Sequence, residues 1–161
     1  MQFDSIFVGC GDKRRDGWLN IDVDPASGAE IVARGERVGA IPDGSARVVA
    51  VRGTLEHLSI HGARLALAEW RRWLAPGGRL ALVVADAAQV VASLATNDGA
   101  ERHVLSRGPV ASLWTAERLV REAREAGFAD VEVSAENRPY LALRAVAASV
   151  ARPHAPASTA T

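Results

Sequence analysis

Apolar and polar positions alternate between two periods along this chain. Ser5-Ile6-Phe7-Val8 is a short apolar run that stops at Gly9-Cys10-Gly11, and Trp18 to Val23 is a second run that ends in acids. Residues 2–8 and 18–23 therefore predict strands, and residues 29–33 a short third one. Ala46 to Arg52 is β-branched and almost continuous, the pattern of a strand buried on both faces. The period then becomes helical. Leu67, Trp70 and Leu74 recur on one face of residues 62–74, with Ala63, Ala66 and Trp73 beside them and Arg64, Arg71 and Arg72 on the solvent side. Pro76-Gly77-Gly78 stops this helix, and residues 79–85 form another buried strand that ends at Asp86. Residues 87–95 predict a short helix. Thr115 caps a further helix that runs to Ala126 and stops at Gly127, and residues 129–135 and 140–150 predict two closing strands.

Alternating strands and helices imply an α/β fold with a largely parallel sheet, and the closing pair adds one antiparallel strand near an edge. One link breaks the alternation. Only the charged run Asp12-Lys13-Arg14-Arg15-Asp16 separates Gly11 from Gly17, whereas a crossover helix needs about a dozen residues. The first crossover helix is thus reduced or absent. The run reads either as a solvated loop or as a basic lip over a ligand.

Composition narrows the function. At 161 residues the chain predicts one domain, residues 1–150, followed by a disordered tail, 151–161, rich in Pro, Ala, Ser and Thr. Residues 96–109 are polar and irregular, the composition of a flap. The formal net charge is +0, which gives no basic excess for nucleic acid or an anionic membrane. A single cysteine excludes an internal disulfide framework, and no Cys/His cluster has metal-ligand spacing. No apolar run reaches the roughly 18 residues that span a membrane, and no leader pattern opens the chain, so a cytoplasmic location is expected.

The candidate chemistry lies at the strand tips. A strand ending in Gly-x-Gly lets a ligand approach the backbone, and an acid at the next tip can accept hydrogen bonds from ribose hydroxyls. Together they point to a nucleoside-containing cofactor. A nicotinamide dinucleotide is disfavoured, because the third glycine of that fingerprint and the helix it would open are both missing.

Further pieces then coincide in order: Gly17-Trp18-Leu19-Asn20-Ile21-Asp22, Ile41-Pro42-Asp43-Gly44-Ser45-Ala46, Leu55-Glu56-His57-Leu58, Glu69-Trp70-Arg71-Arg72-Trp73-Leu74-Ala75-Pro76-Gly77-Gly78, and Trp114-Thr115 with Glu125-Ala126-Gly127-Phe128. With Val8-Gly9-Cys10-Gly11 they make the chain resemble the class I, Rossmann-like S-adenosylmethionine-dependent methyltransferases, in particular small bacterial ones of the type 11 kind. The resemblance covers roughly residues 5–85 and 113–147. It implies a three-layer Rossmann-like sheet, mostly parallel with its last strand antiparallel, and S-adenosylmethionine as cofactor. It also implies methyl transfer to a small-molecule acceptor, a sugar or secondary metabolite. The alternative is a non-catalytic protein of the same fold that binds cofactor weakly or serves as a partner subunit. A homodimer would cover an exposed edge or the place of the lost helix.

By position, the resemblance puts Gly9, Cys10 and Gly11 along the methionine and ribose, Asp22 on the ribose hydroxyls and Val23 on adenine. It puts Gly35, Glu36 and Arg37 near the adenine amino group, and Arg52, Gly53 and Leu55 at the sulfonium end. Two positions depart from it. Relatives often have Asp where Gly35 stands, with Glu36 as the candidate substitute, and often have His-x-Leu-Glu-His where Gly53 stands at the first histidine. His57 is the candidate base, since histidine titrates near neutrality, or else a histidine hydrogen-bonded at a helix entry. Glu56 is the second catalytic candidate, or else a helix cap. Asp86 reads as an acceptor ligand or a loop cap, and Trp18 and Trp114 as acceptor walls or core. Cys10 reads as a small packed residue rather than a nucleophile.

Overall fold

The computed structural model describes residues 3–96, 99, 108–137 and 139–148. The tail and most of the flap expected at 96–109 lie outside them. Strands β1 (Ser5–Val8), β2 (Leu19–Asp22), β3 (Ile31–Val32) and β4 (Ala46–Arg52) come first. Helix α1 (Ile60–Trp73), strand β5 (Leu74–Ala85), helix α2 (Ala87–Thr96), helix α3 (Ala116–Glu125) and strands β6 (Phe128–Ala135) and β7 (Tyr140–Ala147) follow. The sheet order is β3-β2-β1-β4-β5-β7-β6. The pairs among β1 to β5 are parallel, and β7 is antiparallel to both β5 and β6.

No helix joins β1 to β2. Residues 12–18 turn back directly, and β2 pairs with β1 from Leu19 onward. The helices divide unequally between the faces. Ala63, Ala66, Leu67, Trp70 and Trp73 of α1 and Leu119 and Ala123 of α3 bury one face against Ile6, Val8, Val49, Val51, Leu80, Leu82 and Val84. Opposite them, α2 covers only the carboxyl end, where Val90 packs with Ala85, Val110 and Tyr140. Phe7, Cys10 and Ala50 form a small cluster beside it with Trp18 and Ala29. The face between is bare among the described residues. This changes the reading of β4 and β5, expected to be buried throughout: Arg47, Arg79 and Ala81 are exposed because no crossover helix lies over them.

The arginines expected in solvent on α1 are ties. Arg64 grips Glu122 of α3 through two bonds, 2.7 and 3.0 Å. Arg71 donates to the carbonyls of Gly127 (3.1 Å) and Ala148, and Arg72 bonds Glu69, Asp43 and the carbonyl of Ile41. Hydrogen bonds from Arg72 hold the Glu69 carboxyl below its ordinary 4.5, and those from Arg64 do the same for Glu122. Both folded values lie below the unfolded ones. Their contribution is therefore full above the ordinary carboxyl range and is lost as pH falls through the lowered values. The thermal midpoint is expected to hold near neutrality and to drop below pH 4.5. Arg64→Gln should lower the neutral midpoint and flatten that acid limb, which scanning calorimetry across pH would read.

Candidate functional site

The sheet order reverses between β1 and β4, so their carboxyl ends frame the crevice where open α/β sheets bind ligands. Gly9 continues β1 there, its amide donating to the Ile21 carbonyl at 2.9 Å. Its φ is +73°, and a Cβ on it would stand 2.2 Å from the Arg52 carbonyl oxygen and 2.6 Å from Thr54 Oγ1. Only glycine permits this closeness. Gly11 differs: at φ +53°, a Cβ there would meet nothing within 4 Å. The loop is pressed onto β4 on one side and faces open space on the other.

Asp22 ends β2 beside it. Its Oδ2 accepts the Gly11 amide at 2.7 Å, and its Oδ1 the Asp24 amide at 2.9 Å. A carboxylate has about four acceptor positions, so capacity for two hydroxyls remains. Val23 is 64% exposed, an apolar side chain at a strand tip. Cys10 is buried with Phe7 and Ala50, and burial pushes its thiol up, as expected of a packed residue.

Past β3, Gly35 is buried and its carbonyl accepts Trp70 Nε1 at 2.9 Å. A Cβ on Gly35 would fall 2.5 Å from Val8 Cγ1, so the aspartate common in relatives has no room here. Glu36 follows. One of its oxygens takes Arg34 Nε at 2.7 Å, and the other, Oε2, is buried without a partner. Arg37 is exposed. On the far side of the crevice Arg52 is exposed and Gly53 has φ +59°. A histidine in that conformation would carry a cost of about 1–2 kcal/mol, which glycine avoids.

Two expected positions are buried. Leu55 is 1% exposed inside the main core, and its carbonyl is occupied by Ser112 Oγ at 3.0 Å, so its side chain does not line a ligand. Glu56 is 2% exposed, closed off under residues 111–112, whose amides donate to its carbonyl at 2.8 and 3.2 Å. His57 stays half-buried, and its Nδ1 lies 3.0 Å from the Pro109 carbonyl. A carbonyl only accepts, so Nδ1 carries the hydrogen and Nε2 is the acceptor nitrogen. Asp86 caps α2 through the Ala88 amide, 3.0 Å away. Trp114 is 0% exposed and bonded to Ser112, hence core. Arg15 covers Trp18 and Phe7, its guanidinium 4.6 and 4.3 Å from their ring centroids. Arg15 thus caps the small cluster, while the charged run Asp12 to Asp16 as a whole is exposed to solvent. The charged flap residues Arg102 and Arg107, which read as ligands of an anionic acceptor or as solvated side chains, lie with His103 outside the described residues.

Two surface hollows, of about 590 and 380 Å³, lie elsewhere, one along α3 and β6 and one on the bare sheet face. Neither touches the glycine loop, whose ligand side is an open edge rather than a closed cavity. Among the described residues no group of three or more His, Cys, Asp or Glu could hold a metal ion, and no helix is long and apolar enough to cross a membrane.

Residues 8–82 match the family model of a methyltransferase domain. A SAM-dependent methyltransferase of Thermotoga maritima superposes with a TM-score of 0.67 at 17% identity, over 88% of this chain and 81% of that one. One from Methanosarcina mazei gives 0.67 at 15%, over 92% and 94%, and one from Mesorhizobium loti 0.65 at 14%, over 90% and 91%. No curated protein matches the sequence. Topology and superpositions show the class I, Rossmann-like methyltransferase fold, and residues 8–82 are similar to a methyltransferase domain. S-adenosylmethionine is the cofactor that this similarity implies. The residues present fit this group on the structure's own terms. A glycine loop opens onto space, a carboxylate beside it has acceptor capacity left, and a buried acceptor on Glu36 lacks a donor.

Proposed function

We propose that the protein transfers a methyl group from S-adenosylmethionine to a small-molecule acceptor, a sugar or secondary metabolite. The observation that carries this reading is the glycine loop at the switch point, hydrogen-bonded through Gly11 to Asp22. In it, the backbone of Gly9, Cys10 and Gly11 lies along the methionine and ribose, and Asp22 accepts from the ribose hydroxyls. Val23 packs on adenine, with Glu36 Oε2 accepting from the adenine amine and Arg37 flanking it. Arg52 and Gly53 border the reacting end. The cofactor, when bound, supplies a methyl carbon made electrophilic by positive sulfur.

The chain's own task is alignment, for which effective molarity is worth about 7–11 kcal/mol at best. His57 adds proton transfer. The Pro109 carbonyl fixes its ring, and Nε2 takes the proton that an acceptor hydroxyl or amine must lose. Such catalysis contributes typically about 10²–10⁴-fold. His57→Ala is therefore expected to cut turnover by about 100-fold or more while leaving cofactor affinity within about twofold. The assay is S-adenosylhomocysteine release with a panel of sugars and hydroxylated or amino metabolites. Unchanged turnover in His57→Ala would remove it as the base. Cofactor binding without turnover on any acceptor would instead favour the non-catalytic alternative.

A further inference from the structure

Asn20 sits mid-strand in β2, 1% exposed, next to the fully buried Ile21. Its carboxamide is fully engaged. Oδ1 accepts the Arg15 amide at 2.8 Å, and Nδ2 donates to the carbonyls of Arg15 and Trp18 at 3.1 Å and to Glu30 Oε2 at 3.0 Å. Glu30 Oε2 also accepts the Asn20 amide at 2.8 Å, and its Oε1 holds Arg14. One buried amide and one carboxylate thus fasten the returning half of the 12–18 loop at Arg14, Arg15 and Trp18. The outgoing end of the same loop is fastened at Gly11, by Asp22, two residues further along the same strand.

We propose that Asn20 and Glu30 are positioning residues that hold the Gly9–Gly11 loop and Asp22 in their cofactor-binding geometry, in place of the missing crossover helix. The inference rests on Asp22 being the ribose ligand. A helix after the loop would fix Gly11 through its own hydrogen bonds; here nothing between Gly11 and Leu19 is helix or strand. The hub supplies that constraint from the neighbouring strand. Every bond of the Asn20 carboxamide goes to Arg15, Trp18 or Glu30, and Glu30 in turn holds Arg14, so these bonds serve the loop. Burial pushes the Glu30 carboxyl up, but the bonds from Asn20 and Arg14 outweigh it and hold it at about 2. The acceptor is therefore ionised wherever the protein would work.

Calorimetric titration of S-adenosylhomocysteine into the wild type, Glu30→Gln, Asp22→Ala and the double variant tests this. Glu30→Gln should fold normally and bind about tenfold more weakly, as loss of a charge-assisted bond predicts. In the Asp22→Ala background the same change should add less than about twofold, because both act through one group. Hydrogen exchange of the Arg15 amide should also speed up in ligand-free Glu30→Gln. Arg14→Gln, a change at an exposed side chain, should weaken binding about threefold and decides the matter if Glu30→Gln does not fold. Unchanged affinity in Glu30→Gln or Arg14→Gln, with Asp22→Ala weakened, overturns the hub alone. Effects that multiply in the double variant do the same. Unchanged affinity in Asp22→Ala overturns the ribose reading and takes the hub's purpose with it.

Discussion

Gly9→Ala is expected to lower the thermal midpoint by about 6–12 °C and to remove measurable cofactor binding. The added methyl would lie 2.2 Å from the Arg52 carbonyl oxygen, a backbone atom that cannot rotate away. The residue would also keep φ +73°. The left-handed conformation costs about 1–2 kcal/mol and the overpacking about 1–3 kcal/mol, so about 3 kcal/mol together is a fair expectation. The tip of β1 must then part from β4, which opens the crevice on which the proposed site depends. Gly11→Ala is the control. Its Cβ would meet no protein atom within 4 Å, so stability should fall only by about the strain of φ +53°. Its methyl would project into the space proposed for the ligand, so affinity should fall without the large loss of midpoint. Paired melting curves and titrations of the two variants separate a clash with the protein from a clash with the ligand.

The second large effect belongs to Trp70. Its side chain is 0% exposed in the main core, and its Nε1 donates to the buried Gly35 carbonyl at 2.9 Å. Trp70→Ala should cost about 3–5 kcal/mol through the cavity it leaves. Trp70→Phe keeps most of the packing but strands the Gly35 carbonyl, for about 1–3 kcal/mol. The Phe variant is the more informative one. Gly35 opens the segment proposed to meet adenine, so Trp70→Phe should weaken cofactor binding more than its modest loss of stability would suggest. Chemical denaturation alongside S-adenosylhomocysteine titration reads both effects.

Much of the architecture was legible before the structure. The continuous β-branched run of Ala46 to Arg52 is β4 to the residue, and Thr115 does cap α3, accepting the Arg118 amide at 3.3 Å. The spacing of Gly11 and Gly17 correctly removed the first crossover helix, because chain length alone forbids it. What escaped were contacts across sequence. Arg64 and Arg71 look like solvent residues in helical periodicity, since their partners Glu122 and Gly127 lie 58 and 56 positions away. Leu55, Glu56 and His57 share one short turn, and pattern cannot say which side chain faces the crevice. The structure buries the first two and leaves the third with a fixed ring. Asn20 carried a signal that went unused: a carboxamide inside an apolar strand needs hydrogen-bond partners. Glu30, ten positions on, was not identifiable as one of them from sequence.

The most direct test of the account is titration calorimetry of the wild-type chain with S-adenosylmethionine and S-adenosylhomocysteine, repeated on Asp22→Ala. The account predicts saturable one-to-one binding in the range of about 1 μM to 1 mM. It also predicts a loss of about tenfold or more in Asp22→Ala, which should still melt cooperatively although it gives up the bonds to the Gly11 and Asp24 amides. Absence of binding at about millimolar cofactor, or equal affinity in the two proteins, would contradict it.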